Sequence, residues 1–325
     1  MPPAPQPRPA APAPRAPRLT LASITRAANV KPLRVLLHGV EKVGKTSTAA
    51  GAPSPIFICP EDGIPRALGE VPHYPPPEGG WTWQDVIDAV RALATGEHEF
   101  KTLVIDTVDW IEPLLWRDVC GRSDAASIED VGGGYGKGYT AALDGWRSLL
   151  AELERLRARG MHVILLAHSW IRPFKDPVGE GYDRYELKIN NKAAGLLKEW
   201  CDAVLFAQHE DITTKDKRTK RTRGVSTGAR VMFTVHHAAY DAGNRFNLPE
   251  MLPLDWAEFM AAVEAPGLAV AATRKAIEES AAALPAELAE KARAALGRAG
   301  DDPTKLAQLN SWVNTNLAAG EKENV

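Results

Sequence analysis

Residues 39–46 carry glycine, lysine and threonine at spacings suited to phosphate binding. Their sequence, GVEKVGKT, fits the pattern G-x-x-x-x-G-K-[ST] at every fixed position. In such a loop the glycines let backbone N–H groups face phosphate oxygens, the lysine contacts the outer phosphates, and the hydroxyl completes a Mg²⁺ shell. The sequence therefore predicts a nucleoside triphosphate site with Mg²⁺. The predicted binding set is Gly39, Val40, Glu41, Lys42, Val43, Gly44, Lys45, Thr46 and Ser47.

Carboxylates follow two other predicted strands. Asp106 ends an apolar run, and an aspartate at this place beside a phosphate-binding loop holds Mg²⁺ together with Thr46. Glu61 also follows an apolar run, where a carboxylate can orient the water that attacks the terminal phosphate. Asp62 is the second candidate for that role, and the alternative for Glu61 is a structural role in a turn.

A histidine ends a fourth apolar run. His168 follows the segment LLA at 165–167, and strand ends in an open α/β sheet converge on the ligand, so His168 is a candidate sensor of the terminal phosphate. The alternative is a structural histidine with satisfied hydrogen bonds. Asp109 lies beyond the end of its strand and is expected to cap a helix or to be a surface charge.

The elements around these residues alternate between strand and helix. An apolar strand at 33–38 precedes the loop, and a short helix at 45–50 follows it. Apolar runs rich in strand-forming residues recur at 55–59, 102–105, 162–167 and 203–207, with helical patterns between them, the clearest of which is 139–159. We expect an α/β fold with a mostly parallel sheet flanked by helices. A long hairpin formed by 204–208 and 230–236 should add an antiparallel extension.

Composition divides the chain into four regions. Residues 1–18 are almost wholly Pro, Ala, Gln and Arg and are expected to be a disordered tail. The ATP-binding core is predicted at 19–262. Residues 263–320 are rich in Ala, Glu and Lys and predict a small helical appendage, with helical patterns at 269–283, 286–297 and 303–317. Residues 321–325 are expected to fray.

Overall composition narrows the class of protein. The 325 residues hold 39 Lys and Arg against 41 Asp and Glu, so the net charge of −2 gives no global sign of a nucleic-acid partner. Three widely spaced cysteines fit neither a disulfide framework nor a zinc site. No apolar run approaches the ~18 residues that a membrane span needs. We expect a cytoplasmic protein without a membrane partner.

The order of these motifs resembles the RecA-type ATPase core. The segment AYDAGNRFNLP at 239–249 resembles the segment that closes the core in bacteriophage RecA-like single-strand annealing ATPases of the Sak group, and the resemblance covers roughly residues 30–262. It implies an ATP-hydrolysing recombination protein that binds single-stranded DNA and anneals or pairs strands as a ring or filament. Arg245 matches the family's arginine, which acts on the neighbouring subunit's nucleotide, and Arg230 is another candidate. Gly243 replaces a lysine of the family pattern.

The resemblance also indicates where DNA would bind. The positional equivalents of the two DNA-facing loops are 132–139 and 170–188, and both mix glycine, aromatic and basic residues, which suits single strands. Mobile solvent-exposed loops are the alternative, and the basic stretch at 215–223 is more typical of a solvated hairpin tip. A single-stranded-DNA-binding protein is one candidate partner of the appendage. The DNA-binding candidates are Tyr135, Lys137, Trp170, Arg172, Lys175, Arg184 and Lys188.

Two other functions use the same loop. A small-molecule kinase would need an arginine-bearing lid and an acceptor pocket, and no compact lid with several arginines is evident between Asp106 and His162. A non-catalytic nucleotide switch would use the fold for protein interaction. The ATPase hypothesis predicts a catalytic set of Lys45, Glu61, Asp106, His168 and Arg245.

Overall fold

The computed structural model describes most of the chain. The predicted disordered tail, residues 216–221 of the basic stretch 215–223 and the second candidate base Asp62 lie outside its described residues. The described ranges are 31–61, 64–65, 68–176, 179–215 and 222–323.

Within these ranges, nine strands form a mixed sheet. The strands are β1 (Arg34–Gly39), β2 (Pro55–Ile58), β3 (Thr102–Ile105), β4 (His162–Phe174), β5 (Tyr182–Leu187), β6 (Ala203–Lys215), β7 (Thr222–Phe233), β8 (Gly243–Asn244) and β9 (Met251–Pro253). Their order in the sheet is β2-β3-β4-β1-β6-β7-β9, in which β5 pairs with β4 and β8 pairs with β6. Neighbours from β2 to β6 run parallel, and β6-β7, β7-β9 and β4-β5 are antiparallel. The predicted fold class, a mostly parallel sheet with an antiparallel C-terminal extension, is confirmed.

Helices cover both faces of the sheet because its central strands are apolar on both sides. The α-helices of the described residues are α1 (Lys45–Ala50), α2 (Trp83–Thr95), α3 (Val108–Ser123), α4 (Lys137–Ala158), α5 (Asn191–Trp200), α6 (Trp256–Ala282), α7 (Ala286–Ala299) and α8 (Pro303–Glu323). Leu36 of β1 packs into a core formed with α2, α3, α4 and α5. Val35 and Leu37 face a second core on the other side of the sheet, which holds Trp256 and Phe259 of α6.

The segment predicted as a second loop, 170–188, is a β-hairpin. β4 continues past the buried sheet, and Ser169 to Phe174 pair with β5 in antiparallel register. Cross-strand packing favours the hairpin, since the rings of Phe174 on β4 and Tyr182 on β5 lie 5.3 Å apart. Within β4, the Arg172 guanidinium lies 4.2 Å from the centre of the Trp170 ring. A prediction from composition alone could not detect this pairing.

The C-terminal helices have an apolar cluster of their own. Ile277 and Ala281 of α6 pack with residues of α7 and α8, including Ala292, Leu306 and Val313. The helix expected to begin at residue 269 begins at Trp256 instead, after Asp255 accepts hydrogen bonds from the N–H groups of Ala257 and Glu258. The boundary predicted between residues 262 and 263 falls inside α6, which runs from Trp256 to Ala282. The same helix contributes side chains to this cluster and to the sheet core.

A membrane-spanning helix is not found in the described part of the chain, since none of its helices is both long and apolar enough.

The helical cluster offers a test of packing. Ile277→Ala removes a fully buried side chain and should lower the free energy of unfolding of the cluster by about 2–5 kcal/mol. Leu268→Ala on the same helix is the matched control, because Leu268 is 64% exposed and its loss should cost less than about 0.5 kcal/mol. Urea unfolding followed by far-ultraviolet circular dichroism measures both, and equal effects of the two substitutions would contradict the packing described.

Candidate nucleotide site

The phosphate-binding loop joins the carboxyl end of β1 to α1. Gly44 has a φ of 110°, a backbone conformation that suits glycine. A Cβ at Gly39 would come within 2.2 Å of the carbonyl oxygen of Ala207, so the first glycine is required by the close approach of β6. The Lys45 ammonium is buried and donates to the carbonyl oxygens of Gly39 and Val40 at 3.2 and 2.9 Å. Burial lowers the pKa of Lys45.

Thr46 and Asp106 lie together beside the loop. The Thr46 hydroxyl donates to Oδ2 of Asp106 at 2.7 Å. Burial raises the pKa of Asp106 to about 6; the bond from Thr46 opposes this shift, and the nearby charge of Glu61 adds to it. No group of three or more His, Cys, Asp or Glu in the described ranges could hold a metal ion. A hydroxyl beside a carboxylate nevertheless fits Mg²⁺, which takes few protein ligands and completes its shell with phosphates and water.

His168 is held in place by Asp109. The backbone N–H of His168 donates to Oδ1 of Asp109 at 2.9 Å, and its ring Nδ1 lies 2.9 Å from Oδ2. The interpretation of Asp109 as a surface charge was wrong, because its side chain is 5% exposed. Burial alone would raise the pKa of Asp109, but the hydrogen bonds and charge of His168 outweigh burial and lower it. Asp109 is therefore ionised and orients the histidine ring.

These groups line one cavity of about 490 Å³ at the carboxyl ends of the parallel strands. The cavity brings together four members of the predicted catalytic set, Lys45, Glu61, Asp106 and His168. Arg230 of β7 also lines it. The full lining is Glu41, Lys42, Gly44, Lys45, Thr46, Ser47, Glu61, Pro65, Asp106, His168 and Arg230.

The part of the chain that holds these residues matches a known protein family. A family model described as "AAA domain" matches residues 31–246, more than half of the chain. The chain belongs to this AAA domain family. It is also 23% identical over 159 residues to the SPbeta prophage-derived uncharacterized protein YorG of Bacillus subtilis (strain 168). That alignment covers 48% of this chain and 45% of YorG, so the chain spans less than half the length of this relative.

Arg245 of the AAA domain lies away from the nucleotide cavity. Its guanidinium donates to Oδ1 of Asp202 at 3.1 Å, and its backbone N–H donates to the carbonyl oxygen of Asp202. Asp202 precedes β6 and pairs with Arg34 at the start of β1, so Arg245 lies at the opposite edge of the sheet from the phosphate-binding loop. It therefore cannot contact the nucleotide of its own chain.

The predicted DNA-binding residues do not form one group. Trp170, Arg172 and Lys188 line a second cavity of about 520 Å³, together with Gly136 and Tyr139 of the first predicted loop. The remaining candidates lie outside the lining of this cavity: Tyr135 is fully exposed, Lys175 is exposed, Lys137 donates to the carbonyl oxygen of Gly132 at 3.0 Å, and Arg184 is buried.

Arg184 has a structural environment. Its guanidinium pairs with Asp241, which also accepts a hydrogen bond from Lys198 at 2.6 Å, and it donates to the carbonyl oxygen of Tyr240 at 3.3 Å. A guanidinium committed to these partners in the interior is not available to a phosphate backbone. We therefore exclude Arg184 from the candidate DNA-binding surface.

Helix α3 connects the two cavities of the AAA domain through residues that the sequence analysis did not select. Glu112 is buried and accepts hydrogen bonds from the backbone N–H of Asn190, at 3.1 and 3.0 Å, where α5 begins. Burial raises the pKa of Glu112 to about 7. Asp109, one turn earlier, holds His168 and also lines the second cavity. An acidic pair at i, i+3 directly after Asp106 was the signal available in the sequence.

The raised pKa of Asp106 predicts a stability cost. Between pH 3.8 and about 6 the folded protein binds more protons at this group than the unfolded chain, so stability falls as the pH rises through that window. Above about pH 6, the difference between the folded pKa of about 6 and the ordinary value of 3.8 lowers the free energy of unfolding by an amount on the order of 3 kcal/mol.

Asp106→Asn should therefore raise the unfolding temperature at about pH 7.5, and the gain should shrink at about pH 5. Thermal unfolding at both pH values measures it. Asp144→Asn, at an exposed carboxylate on α4, should change neither value. A stability gain that is equal at the two pH values would contradict a buried, proton-binding Asp106.

Proposed function

We propose that this AAA domain is an ATPase that binds single-stranded DNA and couples ATP hydrolysis to strand annealing or pairing in a phage-type recombination system. The family match and the phosphate-binding loop support the nucleotide part of the proposal. The prophage origin of the relative YorG supports the phage context. The similarity to the Sak group supports annealing as the activity.

One observation carries the DNA part of the proposal: two segments that are remote in sequence line the same cavity next to the nucleotide site. Tyr139 comes from the start of α4, Trp170 and Arg172 come from β4, and Lys188 directly follows β5. Aromatic rings beside exposed cations suit single strands, because bases stack on the rings while the cations neutralise phosphates. Lys192 of α5 adds another cation to the lining.

The contacts of α3 suggest how the two cavities would communicate. Asp109 orients His168 in the nucleotide cavity, and the carbonyl oxygen of His168 accepts a hydrogen bond from the backbone N–H of Lys188 at 2.9 Å. Glu112 holds the backbone of Asn190. Movement of His168 on contact with a terminal phosphate would therefore be transmitted directly to a cation of the proposed DNA surface.

In the proposed reaction, Glu61 orients the attacking water and His168 senses the terminal phosphate. Lys45 binds the outer phosphates. Thr46 and Asp106 would hold Mg²⁺, which neutralises developing charge on the phosphates when it is bound. The burial of Lys45 and Asp106 suits these roles, since charges interact more strongly where water is excluded.

Assembly is part of the proposal. Arg245 is 59% exposed at the edge of the sheet opposite the nucleotide cavity, so it would act only on a neighbouring subunit packed head to tail in a ring or filament. We retain Arg245 as the candidate residue acting in trans. A single-stranded-DNA-binding protein remains a candidate partner of the C-terminal helices.

A small-molecule kinase is the second candidate function, and one observation favours it. A cavity of about 970 Å³ lies beside the nucleotide site, lined in part by Pro60, Trp81, Trp110 and Trp116. Its three tryptophans suit an aromatic acceptor better than a polar one. ATP turnover with single-stranded DNA or with a nucleoside acceptor separates the two functions: phosphorylation of the acceptor without stimulation by DNA would favour the kinase.

The catalytic assignment predicts a separation of binding from turnover. Glu61→Gln should keep its affinity for ATP and slow hydrolysis by about 10²–10⁴-fold, because the amide cannot take a proton from water. Lys45→Ala should lose both binding and turnover. Glu70→Gln, at an exposed acid after the same strand, is the control that should change neither. Steady-state hydrolysis and equilibrium ATP binding measure these effects, and unchanged turnover in Glu61→Gln would remove Glu61 from the mechanism.

The DNA surface predicts a selective loss of affinity. Trp170→Ala should weaken binding of a single-stranded oligonucleotide by about 1–3 kcal/mol and abolish stimulation of hydrolysis by DNA, while DNA-free ATP binding stays normal. Trp312→Ala is the matched control, since Trp312 is 37% exposed and Trp170 is 36% exposed, but Trp312 lies on α8. Fluorescence anisotropy measures both affinities. Equal DNA affinities for the unsubstituted protein, Trp170→Ala and Trp312→Ala would show that this cavity does not bind DNA.

A further inference from the structure

Arg230 lies over the phosphate-binding loop of its own chain. It lines the nucleotide cavity together with Lys45, Glu61 and Asp106. Its guanidinium Nη1 lies 3.5 Å from the carbonyl oxygen of Val43. A Cβ at Gly44 would come within 2.3 Å of the same nitrogen, so the guanidinium occupies the space directly above the loop.

The backbone of Arg230 is tied to the helix that follows the loop. Its carbonyl oxygen accepts a hydrogen bond from the N–H of Leu254 at 2.9 Å, and the carbonyl oxygen of Leu254 accepts one from the Thr48 hydroxyl of α1 at 3.1 Å. On the other side, β7 pairs with β6, with Arg230 opposite His209. These bonds set the position of Arg230 relative to the loop without any contribution from a second subunit.

The charge of Arg230 lacks a compensating partner among the described side chains. None of their carboxylates lies within ion-pair distance of its guanidinium. Arg34, Arg157 and Arg245, in contrast, all form ion pairs with Asp202 at the opposite edge of the sheet. A guanidinium offers donors in a planar fork that matches phosphate oxygens. An unpaired arginine above a phosphate-binding loop therefore has the chemistry of a second cation for the same anion.

We propose that Arg230 binds the phosphates of the nucleotide held by its own chain, as a second cation beside Lys45. The proposal deepens the proposed ATPase function and rests on nucleotide binding by the phosphate-binding loop. It assigns separate roles to the two arginines that the sequence analysis selected, Arg230 and Arg245. Arg230 completes the phosphate site within one subunit, and Arg245 is left for contacts between subunits.

Nucleotide affinity of the dilute, monomeric protein tests the proposal. A fluorescent ATP analogue with Mg²⁺ is titrated into Glu61→Gln protein, so that the nucleotide remains intact, at concentrations where sedimentation shows a monomer. Adding Arg230→Ala should weaken binding about tenfold, as expected for the loss of a charge-assisted hydrogen bond, and Arg230→Lys should recover part of the loss. Arg147→Ala, at an exposed arginine on α4, should bind like the parent.

Two outcomes overturn the proposal in distinguishable ways. If Lys45→Ala loses binding while Arg230→Ala binds as tightly as the parent, Arg230 has no role in phosphate binding but the nucleotide site stands. If Lys45→Ala also binds normally, the loop is not the nucleotide site and the proposal for Arg230 fails with it. Circular dichroism of each variant separates either result from unfolding.

Mixing full-length variants distinguishes cis from trans action. Lys45→Ala and Arg230→Ala chains are combined at concentrations that allow assembly, and hydrolysis is measured. Action in cis leaves every subunit of the mixture defective, so no activity should return. Recovery of hydrolysis on mixing would show that Arg230 serves a neighbouring subunit and would overturn the proposal.

Discussion

The nucleotide site depends on the register in which β4 lies between β1 and β3. Gly39 at the end of β1 is level with His168, and Ile105 at the end of β3 is level with Leu165. Because all three strands are parallel, their carboxyl ends meet at one edge of the sheet, and the loop, Asp106 and His168 converge there. Each of these strands is apolar on both faces, so burial on two sides holds the register.

Burial at this edge creates the chemical character of the site. Lys45 and Asp106 are among the few buried charged side chains of the described core, and the pKa of each is shifted in the direction that disfavours its charge. The carbonyl groups around Lys45 and the hydroxyl beside Asp106 offset only part of the free energy that burying these two charges costs. A ligand that brings both phosphate and a divalent cation would satisfy the two groups together. The burial of these two groups is therefore consistent with the metal-nucleotide complex of the proposed function.

Helix α3 contacts residues of both the nucleotide cavity and the second cavity. Its first turns reach the nucleotide cavity through Asp109 and the start of α5 through Glu112, and Trp116 further along packs edge to face against Tyr139. One helix thus contacts His168, which is the proposed sensor, the start of α4 and the residue that precedes α5. The β4-β5 hairpin extends this arrangement, because β4 continues from the buried sheet into the exposed surface.

Local sequence patterns determined much of this protein: the phosphate-binding loop with Lys45 and Thr46, the order of the parallel strands along the chain, and the selection of Asp106 and His168 as polar residues that follow apolar runs. These features follow from short-range spacing and from apolar runs, and the sequence displays both directly.

Only the tertiary structure decided which distant residues meet. Asp109 became the partner of His168, Arg184 became a buried ion-pair residue, and 170–188 became a hairpin. Likewise, Arg230 came to lie over the loop, and Arg245 came to lie at the far edge of the sheet. The physical reason is that these outcomes depend on strand pairing and on side-chain contacts between separate segments, most of them tens to hundreds of residues apart. Such contacts leave no local periodicity in the chain.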